Sequence, residues 1–551
     1  MRAFALAMLP LTATLSASAP QADVVFTHGK VYTVDHAHPH AEAIAVHDGR
    51  ILAVGSEQEI KPHIGPSTTI VNIQGKLILP GFIDDHTHFI SGGFQLGSVN
   101  LRYAGDENAF ATIIKERADK YPDRWITGGD WDHDRWKGGR LPTKELIDKF
   151  TPKTPVFVNR YDGHMSLANS YALKLAGVTK ATADPPGGMV VKDSKTGEPT
   201  GILKDGAMDY VYKIIPDPGE GEMMEAAELA LAEARKNGLT SIQDMSTPAH
   251  LRMYQKLKNA GRLTARFYSR LPIDQWEQLI GTGIRVPFGD EWIRIGSLKA
   301  FADGSLGSTT ALMFDPFTSD PTTHGLATDY VQDGRLEKWA LAADSSGLQL
   351  SIHAIGDSAI SLMLDLFEKI VRKNPVWDRR FRIEHAQHVS PRDFRRFAQM
   401  GVIASAQPYH AIDDGRWAES RIGHERCKTS YAFRTFLDIH VKLCFGSDWT
   451  VAPLNPLLGI YAAVTRRTLD DAHPGGWFPE QKITVPEAIE AYTINNAYAA
   501  FEEAEKGSIS PGKLADFVVL SDDILTIDPV KIEKVTVDMT ILGGKIIYER
   551  R

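Results

Sequence analysis

The stretch Gly81-Phe82-Ile83-Asp84-Asp85-His86-Thr87-His88 decides how the rest of the chain is read. It follows Lys76-Leu77-Ile78-Leu79-Pro80, a run that reads as a buried strand. Side chains alternate along a strand, so His86 and His88, two apart, point the same way. Two imidazoles on one face at the mouth of an apolar strand suggest the first half of a metal site. An HxH pair alone reads as well as two ordinary polar histidines. What lies downstream separates the two readings.

Seven more apolar runs carry polar residues at or near their ends: Thr240–Asp244, Ala265–Ser269, Ile293–Phe301, Leu348–His353, Phe381–His385, Val402–Ala406 and Val441–Asp448. Helical patterns fall between many of them, at Met223–Lys236, Leu336–Ser345 and Ser358–Lys373. Eight strands alternating with helices predict an α/β chain folded as a (β/α)8 TIM-type barrel. One interval is too long, with about 150 residues between the first two strands where a βα unit needs about 30. The excess, at about 95–225, is an insertion after barrel strand 1, and long ordered insertions on such loops usually build the binding site.

Both ends of the chain read as short strands and turns. Ala43–Val46 and Ile51–Gly55 flank His47-Asp48-Gly49-Arg50, a D-G hairpin signal. Asp516–Leu520, Val535–Leu542 and Lys545–Tyr548 have the same texture. Each end alone is too small to bury a good core. The expected organisation is therefore a small β-sandwich built from 23–80 plus 506–551, with the barrel, 81–505, inserted between its halves.

Bulk properties exclude other classes. The chain has 551 residues, is 43% hydrophobic and 24% charged, and carries a net charge of −8 with both signs interspersed. No basic stripe is present, which argues against a nucleic-acid partner. No later segment has about 18 uninterrupted apolar residues, which argues against an integral membrane protein. Two cysteines, Cys427 and Cys444, make no disulfide framework. Met1-Arg2, the apolar stretch to Leu15 and Ser16-Ala17-Ser18-Ala19 read as a secretory signal peptide within 1–22. It implies a periplasmic or secreted protein. The alternative is a cytoplasmic protein with an apolar leader.

The polar strand ends carry the chemistry. His86 and His88, Lys299, His353, His385 and Asp448 come from five different strands and converge on the face where barrel enzymes place catalysis. Singly, His353 reads as a satisfied core histidine and Asp448 as a turn cap. Together, four imidazoles and a carboxylate favour Zn2+ or a similar divalent ion. An ammonium cannot bind a cation, so Lys299 makes sense as a carbamate, an anion whose two oxygens bridge two metals. A bridging hydroxide is then the nucleophile.

These stretches resemble the amidohydrolase superfamily, and within it the YtcJ-like branch that includes N-substituted formamide deformylases. The resemblance rests on Leu79–His88, Leu298–Ser308, Ile352–Asp357, Arg382–Gln387, Gly446–Trp449 and Gly507–Leu520. It implies a metal-dependent hydrolase on a barrel beside a β-sandwich. By that resemblance His86, His88 and Asp448 hold one Zn2+, His353 and His385 the other, and carboxylated Lys299 bridges them. The family role of Asp448 is to orient or deprotonate the attacking water and pass its proton to the leaving nitrogen. A one-metal site of His86, His88, His353 and Asp448 stays open, with Lys299 then a plain cation near the substrate.

Substrate or supporting positions fall in Arg160-Tyr161-Asp162-Gly163-His164, a stretch typical of the branch, with His164, Arg160 and Asp162 as substrate contacts or loop hydrogen bonds. Asp303 either supports the site or caps a Gly-rich turn. Trp131 lines the pocket or packs the insertion. Glu384 should face away from His385 and reads as structural. His388 lies beyond its strand, and His47, His63, His250 and His473 read as surface residues. The expected substrate is a small molecule with a non-peptide amide or N-formyl group. Cyclic amides, carbamates, N-acyl amino acids or esters, and a non-catalytic binding or regulatory role, are the competing readings. A homodimer is compatible with all of them.

Overall fold

The computed structural model describes residues 20–122, 124–133, 136–160, 165–185 and 188–551. Most of the leader therefore lies outside the described residues, as do Asp162 and His164. The barrel strands are Phe82–Thr87, Leu239–Met245, Arg266–Pro272, Ile293–Phe301, Leu350–Ala354, Arg382–His385, Ile403–Ala406 and Leu443–Phe445. Each pairs in parallel with the next, in sequence order. The seam between the eighth and first strands lies just past Phe445. There Asp448 N–H donates to His86 O at 2.7 Å and His88 N–H to Trp449 O at 2.7 Å. All eight runs read from the sequence form strands, because each is buried on both faces and so reads as a short apolar run.

Helices cover the barrel. Asp357–Lys373 buries Ala359, Ile360, Met363, Leu364, Phe367 and Ile370, the spacing of one helical face. Glu220–Lys236 buries Ala226, Ala227, Ala230 and Leu231 and packs on Phe89–Gly97, the helix after the first strand. A Cβ on Gly93 would come within 1.9 Å of Ala226 O, so this helix pair needs glycine at that point.

Two sheets form beside the barrel from the chain's ends. One contains Arg50–Gly55, Ala43–His47, Val24–Thr27 and Thr69–Asn72, in that order. The other runs Lys545–Glu549, Val537–Leu542, Phe517–Leu520, Leu77–Pro80, Lys30–Tyr32, His40–Ala41. The two ends meet where Phe517–Leu520 runs antiparallel to Leu77–Pro80. Phe26, Ile44, Ile78, Phe517 and Ile541 share one buried core between the sheets, with the Phe26 and Phe517 rings edge to face at 4.9 Å. Asp48 and Gly49 turn the first hairpin with φ of 48° and 71°, the left-handed pair that a tight hairpin requires.

The insertion builds a third unit, a six-stranded sheet ordered Gly188–Lys192, Pro199–Asp205, Met165–Ala168, Phe157–Arg160, Gly128–Trp131, Val99–Asn100. It has its own buried clusters, one around Phe110, Trp131 and Val158 and another around Phe157, Leu173 and Leu203. Among the described residues no helix is long and apolar enough to cross a membrane.

Arg266, at the start of the third barrel strand, ties barrel to sandwich. Its Nε and Nη2 donate to both oxygens of Asp516 at 2.7 and 3.0 Å, and all of these groups are buried. Asp516→Ala leaves the buried Arg266 guanidinium only its contacts with Glu291 and is expected to cost about 3–5 kcal/mol in urea denaturation. Replacing Arg266 and Asp516 together by apolar residues should cost much less. Equal loss in both variants would show that the pair does not act as a unit.

Candidate metal centre

The C-terminal ends of the barrel strands bring the sequence-derived residues together. Asp448 Oδ1 lies 3.5 Å from His86 Nε2 and 3.4 Å from His88 Nε2. Lys299 Nζ is 3.3 Å from His86 Nε2. The His385 ring centroid stands 4.8 Å from that of His86 and 4.4 Å from that of His353. His86, Lys299, His385 and Asp448 are all buried, whereas His88 is partly open. They face a cavity of about 440 Å³ whose wall includes Phe301, Leu306, Trp417 and Val451.

Local geometry explains how each side chain gets there. Asp84 accepts the His86 N–H at 3.0 Å and the Ser447 N–H at 3.0 Å, so one carboxylate locks the first strand to the loop carrying Asp448. Burial raises the pKa of Asp84 to about 7. His385 and Asp448 have φ of 72° and 55°, a left-handed conformation that costs energy for non-glycine residues and clusters at functional sites.

That turn corrects the reading of Glu384. Alternation alone would put Glu384 and His385 on opposite faces. Glu384 points into the barrel, and the left-handed turn at His385 lets the next side chain reach the pocket as well. Glu384 Oε2 lies 2.5 Å from His86 Nδ1 and accepts the Ser405 hydroxyl at 2.8 Å. Its Oε1 lies 2.8 Å from Arg270 Nη1 and 3.1 Å from Arg382 Nε. Burial opposes ionisation of Glu384, but the two guanidinium groups outweigh it and hold the carboxyl well below the usual range. An anion on Nδ1 leaves the Nε2 lone pair of His86 directed at the pocket, the usual way a ligating imidazole is oriented.

Electrostatics suits a cation. Burial first, and then the nearby Lys299 charge, lower the His86 pKa to about 3. Burial, with His353 and His86 beside it, holds His385 well below its ordinary value. Both rings are therefore neutral, the form in which an imidazole can bind a metal ion. Burial would raise Asp448, but His86, a hydrogen bond from His88 and His385 outweigh it, so the carboxylate is ionised. Burial, partly opposed by Glu384, lowers Lys299 to about 8. His353 Nε2 sits 3.0 Å from Gly304 O; donation there leaves Nδ1 with the free lone pair. The buried His385 Nδ1 has no hydrogen-bond partner. Neutral imidazoles beside an ionised carboxylate, with a donor atom unsatisfied, fit a divalent ion.

The other sequence-derived positions divide. Asp303 accepts the Ile355 N–H at 3.0 Å and the Gly356 and Leu312 N–H groups at 2.8 Å each. Its Oδ1 is 3.4 Å from His353 Nε2, so it clamps the loop after the fifth strand and supports His353. Trp131 is not a pocket residue. It is fully buried in the insertion's core and donates to Val158 O at 2.8 Å, because the insertion needs its own large apolar side chains to hold its sheet. Arg160 ends an insertion strand, with Nε 3.4 Å from His133 Nδ1 and Nη2 3.8 Å from Asp132.

His388 is engaged elsewhere, with Nδ1 2.6 Å from Ser430 Oγ. His250, read as a surface residue, is half-buried on Pro248–Asn259. That helix starts just past the second strand, near Asp244 and His88, and burial lowers the imidazole's pKa. The sequence reading missed His410 altogether. It lines the pocket four residues past the seventh strand, in the helix that follows rather than at the strand end.

Comparison with known proteins agrees with this geometry. A model described as "Amidohydrolase family" matches residues 69–548. Protein LONG AFTER FAR-RED 3 of Arabidopsis thaliana is 40% identical over 96% of this chain and 92% of its own length. The N-substituted formamide deformylase of Arthrobacter pascens is 28% identical over 96% of this chain and 98% of its own. Among solved structures, an uncharacterized metal-dependent hydrolase from Pyrococcus furiosus superposes with a TM-score of 0.77 at 28% identity, over 91% of this chain and 100% of that one. The eight-stranded barrel, the converging His–Asp donors and the extent of these matches together make this chain a member of the amidohydrolase family, a metal-dependent hydrolase acting on carbon–nitrogen bonds.

Proposed function

We propose that the bond cleaved is a non-peptide amide or N-formyl group of a small molecule, at two Zn2+ ions held by His86, His88, His353, His385 and Asp448 and bridged by carboxylated Lys299. The observation that carries this reading is the meeting of His86, His88 and Asp448 within hydrogen-bonding range, with Lys299 Nζ against His86. The deformylase relative supports the substrate class. Carboxylation requires the ammonium first to give up a proton; the neutral Nζ then joins CO2 with loss of a second proton, and a misplaced cation becomes an anion that could bridge the ions.

The bound ions supply Lewis acidity and make water a nucleophile near neutral pH. The chain's own residues do the rest. Asp448, ionised and turned into the pocket by its left-handed backbone, orients the attacking water, takes its proton and delivers it to the leaving nitrogen. Glu384 keeps the His86 ring in place throughout. Phe301, Leu306, Trp417 and Val451 give the cavity an apolar wall, suited to an apolar substituent on that nitrogen.

Metal-replete protein assayed against N-formyl, N-acyl, carbamate and ester panels tests the function. Turnover is expected for formyl or acyl amides, lost on chelation and restored by Zn2+; esters alone as substrates would refute the C–N reading. Asp448→Asn should lower kcat by about 10²- to 10⁴-fold with the fold intact, seen as unchanged circular dichroism. Glu384→Gln weakens the anion behind His86 and should weaken metal affinity about 10- to 100-fold, measured by chelator competition. Native mass spectrometry should find the chain heavier by one CO2, and Lys299→Ala should lose that mass; wild-type protein without it, metal bound, would remove the carbamate.

A further inference from the structure

Two three-donor clusters meet at Asp448 among the described residues. One is His86, His88 and Asp448; the other is His385, His410 and Asp448. Within each cluster the donor atoms lie no more than 4.8 Å apart. The second contains a residue that no motif in the strands announces. His410 stands in the first turn of the helix Pro408–Asp414, which begins directly after the seventh strand, Ile403–Ala406. Proline within the first turn suits a helix start, and it sets His410 over the cavity.

The state of its ring nitrogen is informative. His410 Nε2 is out of contact with solvent and has no hydrogen-bond partner, and the same holds for His385 Nδ1. Buried polar atoms are almost always paired, so two orphans in one cluster call for a missing group. The nearby acid is turned to other partners: Asp414 Oδ2 accepts Tyr431 Oη at 2.6 Å and Gln387 Nε2 at 2.8 Å, and His410 Nε2 is left without a hydrogen bond. His388, a buried neighbour, shows what a satisfied core histidine looks like here, with Ser430 Oγ 2.6 Å from Nδ1 and Gln387 Nε2 3.0 Å from Nε2.

We infer that His410 is a metal ligand: with His385 and Asp448 it forms a second divalent-cation position beside that of His86 and His88, Asp448 serving both. Two imidazoles and a carboxylate are a zinc-type donor set, and bonds of about 2.0–2.2 Å draw the cluster together as the ion enters. The inference rests on the metal-centre reading above and adds to it a ligand from the helix after the seventh strand.

Full-length protein stripped by chelation and titrated with Co2+ tests it, since visible absorption reports coordination and the bound ions can be counted. The wild type is expected to take two equivalents. H410Q and H410F should keep the equivalent on His86, His88 and Asp448, which also reports an intact barrel, and bind the other at least about tenfold more weakly. H410D restores a donor and should recover it. Zinc-edge X-ray absorption should show fewer imidazoles per ion in H410Q. Binding in H410Q indistinguishable from wild type overturns the inference, as does H410D failing like H410F, which would mark a packing role. A wild type that takes no divalent ion sinks the metal-centre reading and this inference together; a metal-binding wild type indifferent to His410 sinks the inference alone.

Discussion

The buried carboxylate of Glu384 is the point on which the barrel's interior depends. Its two oxygens meet Arg270, Arg382, His86 and Ser405, which come from the third, sixth, first and seventh strands. Arg382 in turn reaches Asp85 at 3.0 Å. Two guanidinium groups thus face two carboxylates in a space closed to solvent, where most barrels pack branched apolar side chains. Such a cluster is weak evidence for stability, because desolvation consumes much of the Coulomb gain. Its value lies in direction. An anion fixed behind His86 determines which imidazole nitrogen faces the pocket, and removing any one member leaves an uncompensated charge under the active face.

Above that floor, the site is shaped by backbone that leaves the strand conformation. His385 and Asp448 sit in the left-handed region, and Asp84 pins Ser447 and His86 together across the barrel seam. A strand alone would alternate its side chains and send half of them away from the pocket. The turns at the strand ends redirect His385 and Asp448 so that donors from separate strands meet. Strain of this kind persists only where surrounding structure over-determines it, which here is the paired seam and the ionic floor.

The pocket has unlike sides. Phe301, Leu306, Trp417 and Val451 form an apolar wall, while His410, Gln387 and Asp414 present polar groups. The insertion is less of a substrate platform than its aromatic content suggests. Trp131 and Trp136 bury their rings in its own core and donate their indole N–H groups to Val158 O and Ala104 O. A six-stranded sheet outside the barrel has to make its own core, and its largest side chains serve that need first.

Much of this molecule was legible in the sequence. Eight short apolar runs, a D-G hairpin and matching strand textures at both ends defined the barrel and the sandwich, because burial on two faces and the twist of a tight turn each leave a local pattern. Polar residues at strand ends picked out His86, His88, Lys299, His353, His385 and Asp448 as candidates by the same logic. Alternation failed at Glu384, since one left-handed residue after it changes which face the next side chain occupies. It was silent on His410, which lies on a helix, and it misread His250, which is half-buried rather than on the surface. Residue type and spacing are local and could be read along the chain. Which nitrogen is oriented, which charge is compensated and which donor is left unpaired depend on groups from four or five strands meeting at one point, and only the tertiary structure decides that.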